Sequence, residues 1–238
     1  MTMTPPAAGP VVAVLQSNYL PWKGYFDIIR RADQVVFYDD VQFTRNDWRS
    51  RNRIKTSHGL RWLSVPVGTS TSRRICDVVL PDHRWQRRHH RTLVQEYGRA
   101  PAFELIRPLL DEGLLSREWT NLSDLNTWFI RAIAGRFLGL TPRWRDSRDL
   151  SLEGSGADRL LQLLLAVGAR RYVSGPAGRA YIDEAHFAAQ GIEIEWMDYS
   201  RYPEYPQLHP PFEHAVSVVD LLAHVGAEAP RFIRPVPD

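Results

Sequence analysis

The order of elements in the first forty residues limits this chain more than any other feature. VVAVLQ (11–16) reads as a short buried strand and SNYLPWKG as a loop punctuated by proline and glycine. YFDIIRRAD then has the apolar spacing of a helix, and QVVFYDDVQF is a second strand-like run. A polar loop between a strand and the next helix lies at the carboxyl edge of a sheet, where α/β proteins usually bind ligands. The alternation continues. Further strands are expected near 61–67, 75–80, 143–146, 171–174 and 192–198, besides 11–16 and 34–39. Helices are expected near 84–97, 101–114, 119–138, 155–167, 177–189 and 216–225. The pattern predicts an α/β fold with a mainly parallel sheet flanked by helices and a helical insertion in the middle.

With 238 residues, 44% of them hydrophobic, the chain can bury one full core. The expected organisation is a single α/β domain over 11–226, with 84–140 as the helical insertion, between poorly ordered tails at 1–10 and 227–238. In the 119–138 helix, Leu122, Leu125, Phe129, Ile130 and Ile133 recur at helical spacing, Asn121 or Ser123 can cap the start and Gly139 can close the end. Such a helix packs a core and need do nothing else. No apolar run approaches the roughly 20 residues of a membrane span, and the N-terminus lacks a signal-peptide pattern. A cytoplasmic protein is expected. One cysteine, Cys76, excludes an internal disulfide framework and reads as an inert buried thiol. No metal-binding spacing is present, so neither a metal nor another cofactor is expected.

The formal charge is only +3, but the cations cluster. Arg45, Arg49, Arg51, Arg53, Lys55 and Arg61 face the lone Asp47 across one segment, and Arg84, Arg87, Arg88 and Arg91 crowd another. Such patches fit an anionic partner, or are simply solvated faces. Arg51-Asn52-Arg53, between Trp48 and Trp62, reads either as a pyrophosphate-binding fork or as an ion-paired hairpin with Ser57-His58-Gly59 at its tip.

Other candidates follow from position. Gln16, Asn18, Tyr19 and Trp22 follow the first strand, and Gly24 opens the helix where a backbone can approach a phosphate. Asp39 and Asp40 end the second strand ahead of Gln42. Adjacent residues of a strand face opposite ways, and Asp40 is favoured as the acid that binds an amine or an arginine. His89 shares a helical face with Trp85 and has the pKa range of a base. Ser174, Gly175 and Tyr181 belong to a second strand-to-helix turn, with Pro176 suited to the first helical position. Gln207 ends the rigid turn Tyr202-Pro203-Glu204-Tyr205-Pro206-Gln207, expected as a wall or lid.

Gln16-Ser17-Asn18-Tyr19-Leu20-Pro21-Trp22-Lys23-Gly24-Tyr25-Phe26-Asp27, Tyr38-Asp39-Asp40-Val41-Gln42-Phe43, Arg51-Asn52-Arg53-Ile54-Lys55 and Trp62-Leu63-Ser64-Val65-Pro66-Val67 resemble the WbqC-like protein family. The likeness continues through Tyr172-Val173-Ser174-Gly175-Pro176, the 202–207 turn and Ser217-Val218-Val219-Asp220-Leu221-Leu222. Ser17 replaces the proline usual after the first glutamine, and His224 stands where asparagine is more frequent. The resemblance implies a Rossmann-like fold with a nucleotidyltransferase-like layout, although no His-x-Gly-His element is present. It also implies an acyl- or aminoacyl (glycine-type) transferase acting on an amino group of a sugar-nucleotide or related metabolite in polysaccharide, O-antigen or secondary-metabolite biosynthesis. The partners expected are an anionic small molecule, either a sugar-nucleotide or an activated amino acid, or an aminoacyl-tRNA. A non-catalytic nucleotide-sugar or RNA binder and an adenylating or nucleotidyl-transfer enzyme are the alternatives. The oligomeric state is not legible.

Overall fold

The computed structural model describes residues 9–236. Contacts divide them into two compact units. One, the sheet unit, comprises residues up to Leu15, Ile28–Tyr38 and Pro142–Asp198; the other, the helical unit, comprises Gln16–Asp27, Asp39–Thr141 and the residues from Tyr199 onward.

The sheet unit holds β1 (Val11–Leu15), β2 (Gln34–Phe37), β5 (Arg143–Asp146), β6 (Arg171–Ser174) and β7 (Glu193–Trp196) in the order β5-β2-β1-β6-β7. All four pairings are parallel. The inner strand β2 is buried throughout, as a strand covered on both faces must be. The edge strands β5 (RWRD) and β7 (EIEW) carry charges, which discourage further strand addition. Ion pairs tie the β7 edge down: Arg31 reaches Glu195 at 2.7 Å and Arg171 reaches Glu193 at 3.3 Å. Against the sheet, α5 (Gly156–Ala166) sets Leu160, Leu161 and Leu164 among Val12, Val36, Tyr172 and Phe187, which belongs to α6 (Glu184–Ala189). Because β1 and β6 are parallel neighbours, the chain leaves the sheet at Leu15 and at Ser174 on the same edge. The strand order reverses between them, the position where open α/β sheets place their ligand crevice.

In the helical unit, the hairpin of β3 (Arg51–Thr56) and β4 (Gly59–Ser64) pairs in strict antiparallel register around Ser57 and His58, with Gly59 at φ +96°. α3 (Phe103–Leu114) packs against α2 (Arg84–Tyr97), α4 (Leu122–Leu138) and α7 (Val218–Val225). Asn121 caps α4 by accepting from the Asp124 amide, and Gly139 ends it at φ +64°. The chain passes from the helical unit to the sheet unit within α1 (Lys23–Arg31), after Asp27.

Three expectations change. Residues 75–80 do not form a strand: Ile75–Asp77 is a 3₁₀ turn, held where the Cys76 amide donates to the Asp39 carbonyl and Asn121 donates to the Cys76 carbonyl. The expected helix at 177–189 is split into a 3₁₀ turn, Pro176–Ala180, and the short α6. The segment after 226 is not a loose tail, because it forms α8 (Ala229–Phe232) and buries Ala229 and Ile233 completely. Most of the expected N-terminal tail lies outside the described residues. No helix among them is long and apolar enough to cross a membrane.

Candidate functional site

The loop after β1 is held mainly by side chains, together with backbone bonds to Trp48 and Val218. Asp39, fully buried, accepts from the Ser17 amide at 2.8 Å and from the Ser123 hydroxyl. Asn52 donates to the carbonyls of Tyr19 and Leu20 at 3.2 and 2.8 Å, the latter residue being strained at φ +42°. Asn126, in the middle of α4, donates to the carbonyls of Ser17 and Arg49, and Tyr25 donates to the Gln16 carbonyl. Pro21 accepts from the Val218 amide. A loop this buried folds only if its carbonyls find donors. So α4 does more than pack a core, since Ser123 and Asn126 fix the loop.

This framework leaves Asn18 and Trp22 half-buried at a cavity of about 270 Å³ that is also lined by Pro21, Trp48, Asn52 and Ala215. Trp48 is at the same time a wall of a second cavity of about 320 Å³, with Asn46, Asp47, Arg51, Arg53 and Trp62. Trp48 and Trp62 lie 5.4 Å apart with their rings tilted by 41°. The Arg51 guanidinium sits 4.1 Å from the centre of Trp62, and Arg53 lies 5.7 Å from Trp48 and 5.9 Å from Trp62. β3 alternation puts Arg51 and Arg53 on one face and turns Asn52 inward. Neither arginine has a carboxylate partner among the described residues, and both Nε atoms are buried without an acceptor. The hairpin expected with Ser57-His58-Gly59 at its tip forms, without an ion pair at these two arginines among the described residues.

The remaining candidates take varied positions. Tyr19 is fully buried; its hydroxyl lies 2.9 Å from His89 Nδ1, and burial pushes its pKa up. His89 is only 7% exposed, and burial lowers its pKa to about 4, although the Ser64 carbonyl on its other side opposes this and the nearby Arg88 and Arg61 add to it. With a neutral ring engaged on both nitrogens, His89 positions Tyr19 and lines neither cavity. The space at Gly24 belongs to Trp22, because a Cβ there would run into the indole. Asp40 is half-buried, and Gln42 is exposed, bridging to Arg74. Gln207 spends its amide on Lys55, Glu213 and Asp220, which staples its turn. Gln16 Oε1 is buried without a partner. In the sheet unit, Ser174 is buried and donates to the Gly175 carbonyl, whereas Tyr181 is 58% exposed.

One residue that sequence reasoning passed over is Lys23. Only 2% exposed, it donates to the Pro203 carbonyl at 2.9 Å, and its ammonium lies 5.2–5.7 Å from the rings of Tyr202, Tyr205 and Phe212. Burial lowers its pKa to about 8, partly offset by Glu204 and Asp220. Its position at the start of a helix directly after Pro-Trp hid it, because lysine there normally reads as solvated. Among the described residues no three His, Cys, Asp or Glu side chains cluster to hold a metal ion.

The fold and this turn define an α/β protein with a five-stranded parallel sheet, and with an arginine–tryptophan cavity beside a stitched strand-to-helix loop in its helical unit. The chain belongs to the WbqC-like protein family, whose model matches residues 16–232. It is 43% identical over 225 residues to the uncharacterized protein Rv1507c of Mycobacterium tuberculosis (strain ATCC 25618 / H37Rv), covering 94% of this chain and 97% of that one. No solved structure matches it.

Proposed function

We propose that this protein is an acyl- or aminoacyltransferase that modifies an amino group of a sugar-nucleotide or related phosphorylated metabolite. The observation that carries the anionic substrate is the pair Arg51 and Arg53, without a carboxylate partner among the described residues and braced on Trp48 and Trp62 at a cavity wall. Arginine forks bind phosphate bidentately, and the indoles hold them in place without neutralising them. The neighbouring cavity, behind the shared Trp48, receives the amino-bearing part between Asn18, Asn52 and Trp22. An amine must lose a proton to attack an acyl carbon. Asp40, the carboxylate expected to receive the ammonium, lines neither cavity, and His89 acts indirectly by holding Tyr19 and so the loop. The transfer class comes from the likeness stated at the sequence level.

The test is direct. Isothermal titration with a nucleotide-linked amino sugar should give binding that Arg51→Gln and Arg53→Gln each weaken by about 1–3 kcal/mol with folding intact. Mass spectrometry should then find the acyl or aminoacyl adduct on the sugar amine when an activated donor is supplied. Binding unchanged in both variants, or no adduct with aminoacyl, thioester or adenylate donors, would sink the proposal.

A further inference from the structure

The cations of this chain are concentrated in one segment. From Arg45 to Arg91 twelve arginines and lysines stand against three carboxylates, Asp47, Asp77 and Asp82. Each of those three already has an arginine: Asp47 pairs with Arg49, Asp77 with Arg74 and Asp82 with Arg84. The rest of the positive charge has nowhere to go within the segment.

α2 organises part of it. Arg84, Arg87, Arg88 and Arg91 stand at i, i+3, i+4 and i+7, so they form one exposed stripe about 10 Å long, opposite the buried Trp85, His89 and Leu93. Arg87, Arg88 and Arg91 have no carboxylate partner among the described residues. Arg61 of β4 is exposed as well, and it joins Arg88 in disfavouring a charge on His89, so strand and helix present neighbouring cations. Like charges at this spacing repel one another and lower the stability of the helix unless an anion covers them.

We infer that the arginine stripe of α2, with Arg61 of β4, is a docking face for the phosphate backbone of an RNA. The complement is polyanionic because three or more unpaired cations lie in a row, beyond what one phosphate group needs. It is a phosphate backbone because the stripe is entirely arginine, whose fork matches phosphate. It is a nucleic acid and not a lipid surface because α2 exposes no large apolar side chain that could enter a bilayer, and RNA is the nucleic acid that carries an aminoacyl group. The inference rests on the transferase reading in one respect, that the RNA would be the carrier of an activated aminoacyl group.

The probe is fluorescently labelled deacylated transfer RNA, titrated with the full chain at several NaCl concentrations and followed by anisotropy. Binding should weaken with salt, and the triple variant Arg87→Gln/Arg88→Gln/Arg91→Gln should lose at least about tenfold in affinity at about 100 mM salt, with its log–log salt slope reduced by about 2–3. The three side chains are exposed, so circular dichroism should be unchanged; the single variant Arg87→Gln, with a smaller loss in the same direction, guards against misfolding of the triple. Wild-type affinity in the triple variant overturns the inference, as does the absence of RNA binding by the native chain. Equally, it falls if the triple variant loses only its binding to phosphatidylglycerol vesicles. If the amino-sugar nucleotide binds and RNA does not, this inference fails alone. If RNA binds through the stripe but no donor supports acyl transfer, the docking face stands and the transferase reading fails.

Discussion

Two strand-to-helix turns look alike in the sequence and are built in opposite ways. Gln16–Trp22 follows β1 and is held by Asp39, Asn52, Ser123 and Asn126, residues distant in sequence that supply its hydrogen bonds. Ser174–Tyr181 follows β6 and largely satisfies itself: the Gly178 amide returns to the Gly175 carbonyl, Tyr181 and Ile182 return to the Gly178 carbonyl, and the Ser174 hydroxyl donates to the next residue. Pro176 does take the first position of a helix, but of a five-residue 3₁₀ turn with no side-chain cap. A turn that closes on itself needs few donors from elsewhere. A buried, strained turn that exposes Asn18 and Trp22 to a cavity needs many, and their presence marks it as the turn whose shape matters.

The comparison breaks if the two turns respond alike to losing a donor. The largest effect is expected for Asn52→Ala, which strands the Tyr19 and Leu20 carbonyls and should cost about 2–4 kcal/mol in urea unfolding. Ser174→Ala should cost under about 1 kcal/mol, and equal losses would erase the distinction.

Acid should find the first turn as well. His89 has a folded pKa of about 4 against an ordinary 6.5, so the unfolded chain binds the proton first. The stability His89 contributes is fully present above about 6.5 and is lost as pH falls through the folded value, by roughly 3 kcal/mol in all. His89→Gln should flatten this stretch of the stability–pH curve; an unchanged slope would mean that another group carries it. Lys23 gives the same sign at the other end of the scale, with folded stability rising between pH 8 and 10.5, a rise that Lys23→Met should abolish.

Smaller effects separate the two glycines. Gly24→Ala drives a methyl into the Trp22 indole and should cost about 1–3 kcal/mol while altering ligand binding at the Asn18 cavity. At Gly178 an added methyl would meet the hydroxyl of Ser174 first, at 2.7 Å. Gly178→Ala together with Ser174→Ala should recover part of the loss of Gly178→Ala alone, a pairwise rescue that thermal melts can read.

The sheet was legible because buried parallel strands such as QVVF and turn residues leave strong local marks, and α2 was legible to its ends. The hairpin was read only as one of two alternatives, since RNRIKT buries Asn52 and Ile54 beneath arginines and looks like a charge run. The apolar alternation at 75–80 was overridden by bonds to the Asp39 carbonyl and from the Asn121 side-chain amide, which no local pattern encodes. At the candidate site, the arginines and the loop were visible as residue types in unusual places. Asn126 was hidden inside an ordinary helical repeat. Asp39 was passed over for Asp40, because which carboxylate turns inward depends on a loop amide 22 residues away.

The ring cage around Lys23 also makes that residue a reporter. Three aromatic faces within 5.7 Å should move its ε-methylene protons upfield by ring currents, and at 2% exposure the amine can meet a reagent only when the Tyr202–Gln207 turn lifts. The acetylation rate of this one lysine, measured against that of a free lysine peptide, would therefore clock the opening of the turn, and any ligand that holds the turn closed would announce itself as protection of Lys23.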